Sequence, residues 1–350
     1  MKTLLLAFAI LGLAIQPSAS QAPQAPQATA KRINKAVDLL SRGQPIYYTG
    51  EGGGNSTESA FERGKKLAQT TADYINYNLE HGPFEMAELR QFMQGLVAGG
   101  PTKSGHRTPA VIVTLPMYAL DATQMRANNW IIHQILNTGV HGMLLTHADS
   151  PEAIRTFVQS SRYPHAPPAP GLPLDAGLER GAGSESFAAQ IWGMSGPEYI
   201  RKADPWPLNP DGEIMLGLKI EERWALTNAE ESARISGIAF AEWGPTDMGL
   251  SLLGPAAAPA PGARGGATAG GARGARGGGG EADSRTQHPS MVAARSRVLA
   301  ATKAARIAFL NSCNESNVID MIKEGVMICT GGDSPAAALG REFSKRPQPW

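Results

Sequence analysis

Several residues able to do acid, base or carbonyl chemistry fall at the ends of short apolar runs in this chain. Asn78, Glu80 and His81 end one run, Thr114 a second, His147 a third, and Lys219 and Glu221 a fourth, while Thr246 and Asp247 follow a fifth. If these ends converge, the carboxylates of Glu221 and Asp247 share one rim. A desolvated carboxylate is costly without a positive charge to offset it, so a divalent cation is the expected partner. Oxygen ligands with the remaining positions filled by water suit Mg²⁺ or Mn²⁺ better than Zn²⁺ or copper. Such an ion can hold a 2-oxo acid through its keto and carboxylate oxygens and stabilise the enolate formed when a carbon–carbon bond breaks. Two distant acidic residues occur equally as solvated loop residues, so this chemistry stands or falls with the elements that would bring them together.

Those elements are legible as an alternation. Eight segments read as strands: PIYYTG (45–50), YINYNLE (74–80), AVIVTLP (110–116), GMLLTH (142–147), IMLGLKIE (214–221), IAFAEWGP (238–245), IAFLNSC (307–313) and VMICTGG (326–332). Helical spacing appears between them, as in Leu89, Phe92, Met93 and Leu96, or Ile131, Ile132, Ile135 and Leu136 before Gly139. Ser150 and Ser334, each followed by proline, fit an N-cap with proline at the first helical position. Eight strand-then-helix units predict an α/β fold, the (β/α)8 or TIM barrel, whose site is built at the carboxyl ends of the strands.

Other segments break the rhythm. Residues 1–20, MKTLLLAFAILGLAIQPSAS, have a lysine, an apolar run too short to cross a membrane and small residues placed for cleavage, the pattern of a signal peptide. Secretion or delivery to a periplasm is expected. A Pro/Gln/Ala linker over 21–30 is expected to be disordered, and a single domain follows over 31–345. A proline- and tryptophan-bearing excursion over 163–213 is expected beside the barrel. A Gly/Ala/Arg-rich insertion over 254–290, after the sixth strand, is expected to be disordered. Its Arg-Gly steps raise RNA binding as an alternative. A net charge of +1, however, offers no basic nucleic-acid footprint, and a mean hydropathy of -0.21 argues against a polytopic membrane protein. Cys313 and Cys329 are the two cysteines, on consecutive strands; they read equally as a pair or as two small buried side chains.

The wording around the strand ends adds to this. LGLKIEERWAL, GIAFAEWGPTDMGLSL, INYNLEHGPF, and GVHGMLLTHADSPEAIRTFVQSSRYP followed by ERGAG resemble, in the same order, the blocks of the HpcH/HpaI aldolase and citrate lyase family. The resemblance implies an oligomeric barrel, a trimer or a hexamer, acting on a pyruvate-like 2-oxo acid. It also implies Glu221 and Asp247 as metal ligands and the backbone amides of Thr246 and Asp247 as a seat for the substrate carboxylate. Glu80 would hold a water on the cation and His81 would be the acid/base.

Four positions depart from that pattern. Asn78 stands where aldolases of the family carry an aspartate that orients and charges the histidine. Thr114 stands where they carry an arginine reaching the keto oxygen, a type of contact whose loss costs on the order of 10²-fold in rate. Lys219 replaces a glutamine and shares strand parity with Glu221. It therefore either supplies the missing charge or neutralises a carboxylate as a buried ion pair. His147 replaces an apolar residue, as a metal ligand, a substrate contact or a structural histidine. Two readings follow: a metal-dependent carbon–carbon lyase, or an altered aldolase scaffold that binds a carboxylated small molecule outside the cytoplasm.

Overall fold

A computed structural model describes residues 32–52, 56–175, 177–255 and 284–346. The signal peptide expected over 1–20, the linker over 21–30 and most of the insertion expected over 254–290 lie outside the described residues.

The strands are β1 (Ile46–Gly52), β2 (Tyr74–Asn78), β3 (Ala110–Tyr118), β4 (Gly142–Thr146), β5 (Pro205–Trp206), β6 (Ile214–Ile220), β7 (Phe240–Trp243), β8 (Ala308–Leu310) and β9 (Val326–Thr330). All pair in parallel in the order β4-β3-β2-β1-β9-β8-β7-β6, and β4 also pairs with β6, so eight strands close into a barrel. The eight expected strands are these eight. The additional β5 is a two-residue stretch of the excursion pairing with the start of β6.

Parallel neighbours need crossovers, and here helices cover the outside of the barrel. Side-chain alternation along the strands divides the apolar residues into two layers. Ile46, Tyr48, Tyr74, Ile112, Leu144, Met215, Phe240, Leu310 and Ile328 fill the barrel interior. Tyr47, Ile75, Val111, Val113, Leu145 and Leu218 face outward, in one cluster with Phe92, Leu96, Ile132, Phe157 and Val298 of the helices. Gly217 is required inside, because a Cβ there would come within 2.2 Å of the Phe240 ring.

The expected caps form. Ser150 accepts from the Ala153 amide and Ser334 from that of Ala337, starting helices Pro151–Ser160 and Pro335–Phe343. Gly139, at φ +84°, follows the helix Asn129–Leu136. The excursion packs beside the barrel as expected: Trp192 donates to the Gly139 carbonyl at 2.8 Å and stacks on His141. Cys313 and Cys329, left open by the sequence, are joined in a disulfide.

Candidate active site

The strand ends do converge. Glu80 and His81 follow β2, His147 follows β4, Glu221 follows β6, and Lys219 is the penultimate residue of β6. Lys219 is in register with Glu242 of β7, one position before the turn that carries Thr246 and Asp247 into the helix Pro245–Leu253. Strand parity turns Lys219, Glu221 and Glu242 to the inside, above the ring of Phe240.

Lys219 is the hub. Its ammonium lies 2.8 Å from Glu80 Oε2 and 2.9 Å from Glu221 Oε2. Burial alone would lower its pKa, but the carboxylates of Glu221, Glu242 and Glu80 outweigh that and hold it above the ordinary lysine value. Of the two alternatives read for Lys219, the structure shows the buried ion pair, made with Glu80 and Glu221.

Glu221 is wholly buried, and burial pushes its carboxyl up against the opposing pull of Lys219. It fits because residue 244 is glycine; a Cβ there would stand 2.6 Å from both Cβ and Oε2 of Glu221. Glu242 is pushed up to about 7 by burial, with Glu221, Glu80 and Asp247 adding to the rise and Lys219 opposing it. The sequence reading missed Glu242, although a carboxylate inside the apolar run IAFAEW was its signal.

His147 is held at φ +44°, a region L residues enter at a cost, and its amide donates to Glu221 Oε1 at 3.1 Å. Its Nδ1 lies 2.7 Å from Glu222 Oε1, and its ring meets Tyr118 edge-on at 4.1 Å. Glu222, also missed, leaves its helix Arg223–Thr227 without a side-chain cap.

Asn78 acts on the backbone: its Oδ1 accepts from the amides of Glu80 at 2.9 Å and His81 at 3.1 Å, shaping the turn that presents both side chains. The His81 ring is 53% exposed, with Nε2 3.5 Å from Glu80 Oε2. Thr114, nearly buried, gives its hydroxyl to Asn76 Oδ1 at 2.8 Å. The helix that begins at Pro245 is capped by Gly244 without any side-chain bond, so the first-turn amides of Thr246 and Asp247 lack the usual capping oxygen. A cavity of about 280 Å³ opens on one side of Glu80, lined further by Met117, Tyr118, Gln124 and Asn128.

One oxygen each of Glu80 and Glu221 and a ring nitrogen of His147 lie within 4.8 Å of one another. Two carboxylates and an imidazole at that spacing suit a divalent ion, and one lysine does not neutralise Glu80, Glu221 and Glu242 together. Asp247, the other ligand expected from the resemblance, is half-buried in the helix's first turn, outside this group of three.

No protein-family model matches the chain. Curated relatives do, among them a hydroxypyruvate/pyruvate aldolase of Deinococcus radiodurans, 33% identical over 122 residues, and a 2-keto-3-deoxy-L-rhamnonate aldolase of Klebsiella pneumoniae, 28% identical over 128. The matches cover 35% and 37% of this chain, and it spans 37% and 41% of those relatives' lengths. Among solved structures, a HpcH/HpaI aldolase/citrate lyase family protein of Burkholderia cenocepacia superposes with a TM-score of 0.58 at 17% identity, covering 85% of this chain and 91% of that one. In the order of its sequence blocks, in its aldolase relatives and in its barrel, the chain resembles the HpcH/HpaI aldolase/citrate lyase family.

Proposed function

We propose that the protein is an exported, divalent-metal-dependent carbon–carbon lyase of the aldolase type, acting on a pyruvate-like 2-oxo acid through an enolate. The observation that carries this reading is the Glu80–Lys219–Glu221 network at the mouth, with His81 at its solvent edge. Glu221 and Glu80 would hold a resident Mg²⁺ or Mn²⁺, which would supply Lewis-acid polarisation of the keto group.

The chain's own groups do the rest. The Thr246 and Asp247 amides, at the positive end of a helix, bind the substrate carboxylate. Lys219 has three N–H groups, gives one to Glu80 and pairs by charge with Glu221, which leaves a donor for the oxygen that gains charge as the enolate forms. That donor stands in for the arginine absent at Thr114. His81, steadied by the Asn78 turn and by Glu80, moves the proton at Nε2. Export is supported by the N-terminal pattern and by the disulfide, which suits an oxidising compartment. Exposed Tyr118, Leu120 and Trp130 support a homo-oligomer, for which the resemblance implies a trimer or a hexamer.

The commitment of the Thr114 hydroxyl to Asn76 favours a second reading, capture of a carboxylated ligand without turnover. Incubation with Mn²⁺ and pyruvate in D₂O separates the two by NMR. The lyase exchanges the methyl protons, and His81→Ala slows this by about 10²-fold or more. Binding without exchange leaves only the second reading.

A further inference from the structure

The carboxylates of Glu80 and Glu221 are used from both sides. Each turns Oε2 to Lys219, at 2.8 and 2.9 Å, and each leaves Oε1 at 3.9 Å from Nε2 of His147. The 3.9 Å separations are too long for hydrogen bonds. Donors bonded at about 2.0–2.2 Å to one ion stand roughly 3–3.5 Å apart, so these atoms need to close by only about half an ångström to share one.

The tautomer of His147 is set from behind. Glu222 Oε1 stands 2.7 Å from Nδ1, and an ionised carboxylate only accepts, so Nδ1 carries a proton and Nε2 is the ring nitrogen nearer the two Oε1 atoms that a metal would take. A carboxylate holding the far nitrogen of an imidazole is the usual support of a metal-bound histidine.

We propose that Glu80 Oε1, Glu221 Oε1 and His147 Nε2 form a three-ligand face for one transition-metal dication, with Lys219 and Glu222 as positioning residues and Asp247 outside the ligand set. The proposal rests on the reading above that the mouth takes a divalent cation, and it changes both the ligands and the metal. Imidazole favours Mn²⁺, Fe²⁺, Co²⁺ or Zn²⁺ over Mg²⁺, which prefers oxygen alone. Lys219 neutralises one carboxylate's worth of charge and clamps both side chains, so that their second oxygens stay aimed at His147.

The test is metal binding to the full chain, stripped with chelator and titrated calorimetrically with Mn²⁺, Zn²⁺ or Mg²⁺ alone. One Mn²⁺ or Zn²⁺ binds per chain and Mg²⁺ binds at least about tenfold more weakly. His147→Ala and the conservative Glu222→Gln each weaken Mn²⁺ by roughly 10–100-fold with the circular dichroism unchanged, and Asp247→Asn leaves the affinity where it was. Equal affinity for Mg²⁺ and Mn²⁺, an unaltered constant in both His147→Ala and Glu222→Gln, or loss of the ion in Asp247→Asn alone overturns the proposal. Pyruvate exchange is scored separately. Exchange supported by an ion that ignores His147 sinks this ligand set and spares the lyase, whereas His147-dependent binding without exchange does the reverse.

Discussion

The two ends of the barrel bury charge in opposite ways. At the amino-terminal end, Asp73, immediately before β2, is wholly buried and fully engaged. It accepts from the Tyr47 amide at 2.9 Å and from Arg346 Nη1 at 2.8 Å, and it lies 3.0 Å from Lys35 Nζ. Burial would raise its pKa, but the bonds from Arg346 and the charge of Lys35 hold it below the ordinary aspartate value. At the carboxyl-terminal mouth the same cost is left unmet: Glu221 and Glu242 are both raised, because burial and mutual repulsion exceed what one lysine returns. A carboxylate that is satisfied locks strands and helices together. A set of carboxylates left short of positive charge is ready for a ligand that brings it.

The contrast breaks most visibly at Asp73. Asp73→Ala strands Lys35 and Arg346 without their partner and should cost about 3–5 kcal/mol in urea unfolding. A loss below 1 kcal/mol would mean that this end is no more a structural lock than the mouth.

Glu242 tests the opposite sign. Its folded pKa of about 7 lies above the ordinary glutamate value of 4.5, so the folded protein holds the proton more tightly than the unfolded chain and stability falls as pH rises between those values. Glu242→Gln should therefore stabilise the protein by on the order of 2 kcal/mol at pH 8 and change little at pH 4, read from paired denaturation curves. Asp73 contributes the other way, with stability present above the ordinary aspartate range and lost as pH falls below it. Parallel pH profiles for Asp73→Ala and Glu242→Gln would erase the distinction.

The smallest effect belongs to a pair that is neither locked nor short of charge. Arg126 and Asp175 meet at the surface, each about half exposed. Arg126→Ala should cost under about 1 kcal/mol, and even that should fade in high salt. A larger loss would show that exposure is a poor guide to what these pairs contribute.

Much of this was readable from the linear chain. Alternating apolar segments located the barrel strands, and Ser-Pro pairs located two helix starts, because both signals act over a few residues. The strand ends pointed to Glu80, His147, Lys219 and Glu221 as one site. Asn78 stands where the family's aspartate would orient the histidine, and its Oδ1 accepts from the backbone amides of Glu80 and His81, since an asparagine side-chain carbonyl reaches the main-chain donors two and three residues on. Glu242 was passed over because its neighbours in the sequence are apolar; its significance comes from Lys219, opposite it on another strand.

The sequence by itself determined the strand-and-helix rhythm, the closed parallel architecture that rhythm demands, and the residue types delivered to its mouth, because periodicity and capping are local. Only the tertiary structure decided that Cys313 meets Cys329, that Lys219 stands between Glu80 and Glu221, and that Glu222 turns His147 toward them. Those outcomes depend on register and parity between segments far apart in the chain, where one residue of slip would send each side chain to the other face of the barrel.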